Sequence, residues 1–153
     1  MSHQSYWKRN LILSLIVIMI VVVGVAVASL SMQSPRVHTI PLFNDQETVN
    51  AGGYNPHPFT IPSGASYISV SVAFTAQGGS GNDIKMYIID YANFVNYANN
   101  NDFSYLYYSG QLHAEWGNIN LPSSGNYYLV LDNKFSISSQ KLVNIQMNAT
   151  YIK

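Results

Sequence analysis

Few residues in this sequence are able to do chemistry. Its 153 positions hold 4 His, no Cys, and 7 Asp and Glu against 7 Lys and Arg. Without cysteine there is no disulfide framework, thiol nucleophile, thiolate zinc site or iron–sulfur cluster. His113 and Glu115 flank Ala114, so on a strand their side chains share one face and form half of a metal site or an acid–base pair. A metal site needs at least a third ligand, and no HExxH or similar spacing supplies one; His38 and His57 are the other histidines after the apolar N-terminal run. Gly78-Gly79-Ser80-Gly81 is not a nucleophile elbow, since Gly-x-Ser-x-Gly is not met and no helical pattern follows. These absences predict a protein that is not an enzyme.

Oxygen ligands are better represented. Asp83, Asp90 and Asp132 stand near Asn82, Asn93 and Asn133 at turn positions, a set suited to a structural calcium, although the spacing is not that of an EF-hand. The same residues serve equally for local turn hydrogen bonds. If calcium is held, Asp83 and Asp132 are the expected ligands; no other cofactor is indicated.

Aromatic clustering is the most unusual feature. Tyr91, Phe94, Tyr97, Phe103, Tyr105, Tyr107 and Tyr108 are interleaved with Asn and Ser, and Trp116 follows. Rings supply apolar area at low entropy cost and amides supply adaptable hydrogen bonds, so Tyr97, Tyr105, Tyr107, Tyr108 and Trp116 form a candidate surface for a protein or glycan partner. Rings of this kind also fill cores. Asn148-Ala149-Thr150 is an acceptor sequon for N-glycosylation. With 9% charged residues and a pI near 6.9, the chain has no basic footprint for nucleic acid.

Charge this low, against about 25% in ordinary domains, points to a membrane-embedded part. Residues 11–30 read LILSLIVIMIVVVGVAVASL, with no charge, Pro, Asn or Gln. At about 1.5 Å per residue a helix of this run covers about 30 Å, the hydrocarbon thickness of a bilayer. Lys8 and Arg9 precede it with Tyr6 and Trp7 at headgroup level, which predicts a cytoplasmic N-terminus and a C-terminal domain outside the cell membrane. Ala26-Val27-Ala28 also reads as a signal-peptidase site, but the run exceeds the usual signal core and favours a retained single-pass anchor. The expected organisation is a cytoplasmic N-terminus at 1–10, a transmembrane helix at 11–30, a stalk at 31–36 and an extracytoplasmic domain at 37–153.

Beyond the stalk the hydrophobic period is two. Residues 67–75 place Ile68, Val70, Val72 and Phe74 on one face and Ser69, Ser71, Ala73 and Thr75 on the other. Residues 37–40, 46–51, 84–90, 127–131 and 142–151 read as further strands, separated by Gly-, Asn- and Pro-containing turns. Residues 91–101 are the nearest approach to a helix. Short strands punctuated in this way predict an all-β antiparallel sandwich, jelly-roll-like, behind one N-terminal transmembrane α-helix.

Residues 121–151 resemble the closing half of a GOLD-type domain. A Pro-x-x-Gly precedes an aromatic strand, followed by an Asp-Asn turn, a Ser-rich connector ending in Lys and a long alternating strand. Asn82-Asp83-Ile84 leading into a strand is similar to the bacterial pre-peptidase C-terminal domain. The resemblance implies a β-sandwich. Together these readings predict a non-enzymatic membrane protein presenting a sandwich to a protein or glycan, with an accessory subunit of a membrane complex as the alternative.

Overall fold

The computed structural model describes residue 11, residues 13–20 and residues 34–153. The chain divides into two units, Met1–Pro35 and Arg36–Lys153. In the first, residues 11 and 13–20 are helical and exposed; residues 1–10, 12 and 21–33, with most of the expected span and the Ala26-Val27-Ala28 site, lie outside the described residues. Among the described residues, no helix is long and apolar enough to cross a membrane.

In the second unit eight strands follow in order: β1 (Val37–Val49), β2 (Tyr54–Ile61), β3 (Ser66–Gln77), β4 (Ile84–Asp90), β5 (Tyr107–Leu112), β6 (Ala114–Leu121), β7 (Gly125–Asp132) and β8 (Lys141–Ile152). One helix, α1 (Tyr91–Ala98), lies between β4 and β5. The strands form two antiparallel sheets of order β1-β8-β3-β6 and β2-β7-β4-β5. Every connection except β4–β5 passes from one sheet to the other, which is the winding of a jelly roll. The expected all-β sandwich is present.

Alternation explains the core. Ile68, Val70, Val72 and Phe74 of β3, Val143, Ile145 and Met147 of β8, and Ile84, Met86, Ile88, Leu129 and Leu131 of the other sheet are buried together. Each large aliphatic side chain so buried stabilises the fold by about 1.5–3 kcal/mol. A second, smaller cluster lies on the outside of the β2-β7-β4-β5 sheet, where α1 covers Ile89 and Val130. Asp90 caps α1, its carboxylate accepting the Asn93 N–H at 2.8 Å.

Three elements depart from the sequence reading. The expected strands 37–40 and 46–51 are one strand, β1, which continues through Pro41 by a bulge between Pro41 and Phe43. Asn55-Pro56, read as a turn, lies inside β2. β2 pairs only with β7, so as an edge strand it tolerates Pro56 and Pro58, whose missing N–H groups fall on its unpaired side. Ser109-Gly110, also read as a turn, is inside β5. There Gly110 adopts φ +79° beside a register shift, and the Ser109 hydroxyl accepts the Met86 N–H at 2.9 Å.

Candidate binding face on the outer sheet

The outward residues of the β1-β8-β3-β6 sheet carry almost no charge. Register places Trp116, Ala73, Gln146 and Asn44 in one row across the four strands, and Ala114, Thr75, Asn144 and Gln46 in the next. Asn118, Ser71, Asn148 and Pro41 follow, then Asn120, Ser69, Thr150 and Thr39. All are apolar or uncharged polar. The first two rows line a groove of about 800 Å³ that contains no Lys or Arg.

Trp116 is 74% exposed, the large ring of this face. Its neighbour in the row, Ala73, has only a methyl group, so the groove floor stays low beside the indole. In the second row the side chains bond one another, Gln46 Nε2 donating to Asn144 Oδ1 at 2.7 Å and Asn144 Nδ2 to Thr75 Oγ1 at 3.5 Å. Among the described residues, the amides of Asn44 and Gln146 make no such bond and remain available. Four strands about 4.8 Å apart give a face about 14 Å across. The site therefore offers a ring for stacking and uncharged donors and acceptors for hydroxyl groups.

The five aromatic residues expected to form one surface are distributed over four environments. Tyr97 is 4% exposed; α1 turns it onto the sheet, edge-on to Tyr54 at 5.0 Å and Phe103 at 5.1 Å. The Lys134 ammonium lies 4.1 Å from its ring centroid. Burial foremost, then the charge of Asp132, holds the Tyr97 phenol above its ordinary pKa. Tyr107 packs against the main core. Burial, followed by a hydrogen bond to Glu115, raises its phenol as well. Tyr108 points the other way, as adjacent strand residues must, and stacks on Tyr87 at 4.7 Å and 10°. Tyr105 and Tyr108 are exposed at this edge, whereas Trp116 belongs to the opposite sheet. Helix burial of Tyr97 and strand alternation at Tyr107 account for the correction.

Asp83 and Asp132 do not converge on a cation site. Asp83 Oδ1 accepts from Lys141 Nζ at 2.7 Å and Oδ2 from Gln111 Nε2 at 2.5 Å. Lys141 is 3% exposed, and its ammonium is the counter-charge that Asp83 faces. These two hydrogen bonds, Lys141 first, hold the Asp83 carboxyl below its ordinary pKa. Asp132 Oδ1 instead accepts the Lys134 N–H at 2.7 Å. Asn133, fully buried, donates its amide to Val49, Asn50 and Ser139 carbonyls, tying two loops together. Among the described residues, no three His, Asp or Glu side chains are grouped to hold a metal. His113 sits at the β5–β6 turn, outside the strand that holds Glu115. Asn148 lies on the outer face, half-buried on central strand β8.

The amide rows depend on register between four separated strands, which sequence alternation does not define. Their signal was present in β8, where Asn144, Gln146, Asn148 and Thr150 alternate with the buried set.

No family model and no curated protein matches the chain. Solved structures similar to it include the SPBc2 prophage-derived protein YomS, at 10% identity and TM-score 0.37, over 80% of this chain and 97% of that one. The CBM36-1 domain of a multidomain xylanase from the hindgut metagenome of Trinervitermes trinervoides is similar at 9% identity and TM-score 0.34, over 75% and 96%. The infectious bursal disease virus VP2 subviral particle is similar at 13% identity and TM-score 0.38, over 77% and 33%.

Proposed function

We propose that the protein is a non-enzymatic binding module that takes an uncharged glycan on the outer face of the β1-β8-β3-β6 sheet, tethered to a cell membrane by residues 11–30. The observation that carries the binding reading is Trp116, exposed beside Ala73 in a groove whose two rows are otherwise amide, hydroxyl and methyl groups. A sugar ring presents an apolar face to the indole and hydroxyls to Asn44 and Gln146. The groove offers no Lys or Arg to pair an acidic sugar. Tethering rests on the uncharged run behind Lys8 and Arg9, and places the sandwich outside the cell. The resemblance of residues 121–151 to GOLD-type and pre-peptidase C-terminal domains contributes the sandwich alone to this reading. No cofactor takes part.

Binding of the full-length protein and a Trp116→Ala variant to a panel of neutral and acidic oligosaccharides tests the proposal. Saturable binding to a neutral member that the variant loses supports it; binding unaffected by the substitution rejects this face.

A second reading, an accessory subunit of a membrane complex, is favoured by one observation. Tyr105 and Leu106, just before edge strand β5, and Leu112 at its end are exposed, and the outer side of β5 has no strand partner among the described residues. Co-purification of other membrane proteins that depends on these three side chains distinguishes it.

A further inference from the structure

We propose that the Arg36 and Lys153 end of the sandwich rests on an anionic lipid surface through Arg36, Lys153, Val37 and Tyr67; this rests on the anchoring reading above. The first and last residues of the second unit are bound together, Arg36 N–H to the Lys153 carbonyl at 2.9 Å and Lys153 N–H to the Arg36 carbonyl at 3.0 Å, so two cationic residues are adjacent. Val37 is 69% and Tyr67 85% exposed. Tyr67 holds φ +50°, a left-handed backbone that a tyrosine adopts at a cost, where the β3–β8 register breaks between Ser66 and Ser69. That backbone turns an aromatic ring outward beside two cations, the combination that sits at a membrane interface.

The remaining cations of residues 34–153 are engaged elsewhere. Lys141 pairs with Asp83, Lys134 lies over the Tyr54 and Tyr97 rings, and Lys85 over Phe135. Asp90 finishes β4 at this end of the sandwich but in the other sheet from Arg36, Lys153 and Tyr67, and both its oxygens accept from Asn93. The 122–124 and 62–65 loops complete this end with Ser, Gly, Ala and Pro. Opposite them stands the 133–140 loop, about 37 Å away along the twelve residues of β8.

Geometry favours the contact. Residues 31–36 reach at most about 20 Å at about 3.4 Å per residue, so an anchored chain keeps this end near the bilayer. A short tether gives an effective concentration in the millimolar range, at which a weak patch is occupied.

The chain contains no cysteine, so a single introduced one carries a nitroxide label without background. Full-length protein labelled at Tyr67→Cys, Val37→Cys, Ile137→Cys or Ile20→Cys is reconstituted in phosphatidylcholine vesicles with and without phosphatidylglycerol. Collision with oxygen against a water-soluble nickel chelate then reports depth. Labels at 67 and 37 are expected at the interface in anionic vesicles, with 137 in water. Arg36→Glu with Lys153→Glu reduces the docked population on the order of tenfold. A label at 20 in lipid with those at 67 and 37 as aqueous as 137 overturns the docking alone. An aqueous label at 20 overturns the anchoring reading and the docking with it.

Discussion

Trp116 stands directly across the β6–β3 ladder from Ala73, whose other neighbour is Gln146 of β8. An indole, a methyl group and an amide thus form a step in which a flat ligand can stack on the first, slide over the second and bond to the third. A larger residue at position 73 would fill it. Ala73→Phe is therefore expected to weaken glycan binding about as much as Trp116→Ala, on the order of 30-fold, while leaving the thermal transition nearly unchanged. Calorimetric titration and a melting curve on the same sample check both halves.

The aromatic edge of the other sheet behaves differently. Tyr105→Ser with Tyr108→Ser removes exposed rings and is expected to leave glycan affinity within a factor of about two, because these residues lie on the opposite sheet from the groove. Tyr97→Ser instead opens the layer beneath α1. It should cost about 3 kcal/mol, read from denaturant midpoints.

Lys141 and Asp83 form a largely buried pair near the start of β8 and β4. Asp83→Asn leaves the ammonium without its counter-charge and is expected to destabilise by about 3 kcal/mol, whereas Lys141→Met with Asp83→Leu recovers most of that loss. The folded Asp83 carboxyl lies below the unfolded value of 3.8. Its contribution is therefore complete above that value and disappears as pH falls through the folded one. Stability measured between pH 6 and pH 2 should decline in the wild type, with a smaller share of the decline in the double variant.

At alkaline pH the sign is reversed. Tyr87, Tyr97 and Tyr107 are held neutral by burial, above the ordinary phenol value of 10.0. Unfolded phenols ionise first, so folding stability falls as pH rises past 10. Absorbance of phenolate should show a fraction that ionises only with the loss of the folded circular dichroism signal.

Asn133→Ala removes three amide-to-carbonyl connections made from a fully buried position. A loss of about 3 kcal/mol is expected, since the carbonyls of Val49, Asn50 and Ser139 lose their partner. The same variant should leave glycan affinity unchanged, a comparison made by titration below its melting temperature.

Sequence alone carried the sandwich because β3 and β8 alternate cleanly between buried and outward residues, β4 nearly so, and β7 is a continuous apolar run suited to a strand covered on both faces. It did not carry β2 and β5, where Pro56, Pro58 and Gly110 imitate turns while occupying edge strands that tolerate them. The outward Ser69, Ser71, Ala73 and Thr75 of β3 were legible as one face, but not that Trp116 and Gln146 flank Ala73. Alternation assigns faces within a strand; neighbours come from register, which only the paired sheet defines. For the same reason the tyrosines looked like one cluster, although α1 buries Tyr97 and strand geometry sends Tyr107 and Tyr108 to opposite sides.

The chain has two tryptophans, Trp7 and Trp116, so a Trp7→Phe variant leaves Trp116 as its single indole. Its emission during titration with neutral oligosaccharides measures the proposed contact itself. A saturable blue shift with neutral sugars and none with their acidic counterparts is the predicted result. Emission that stays constant across the neutral panel, or binding with no response from Trp116, would contradict glycan recognition at this face.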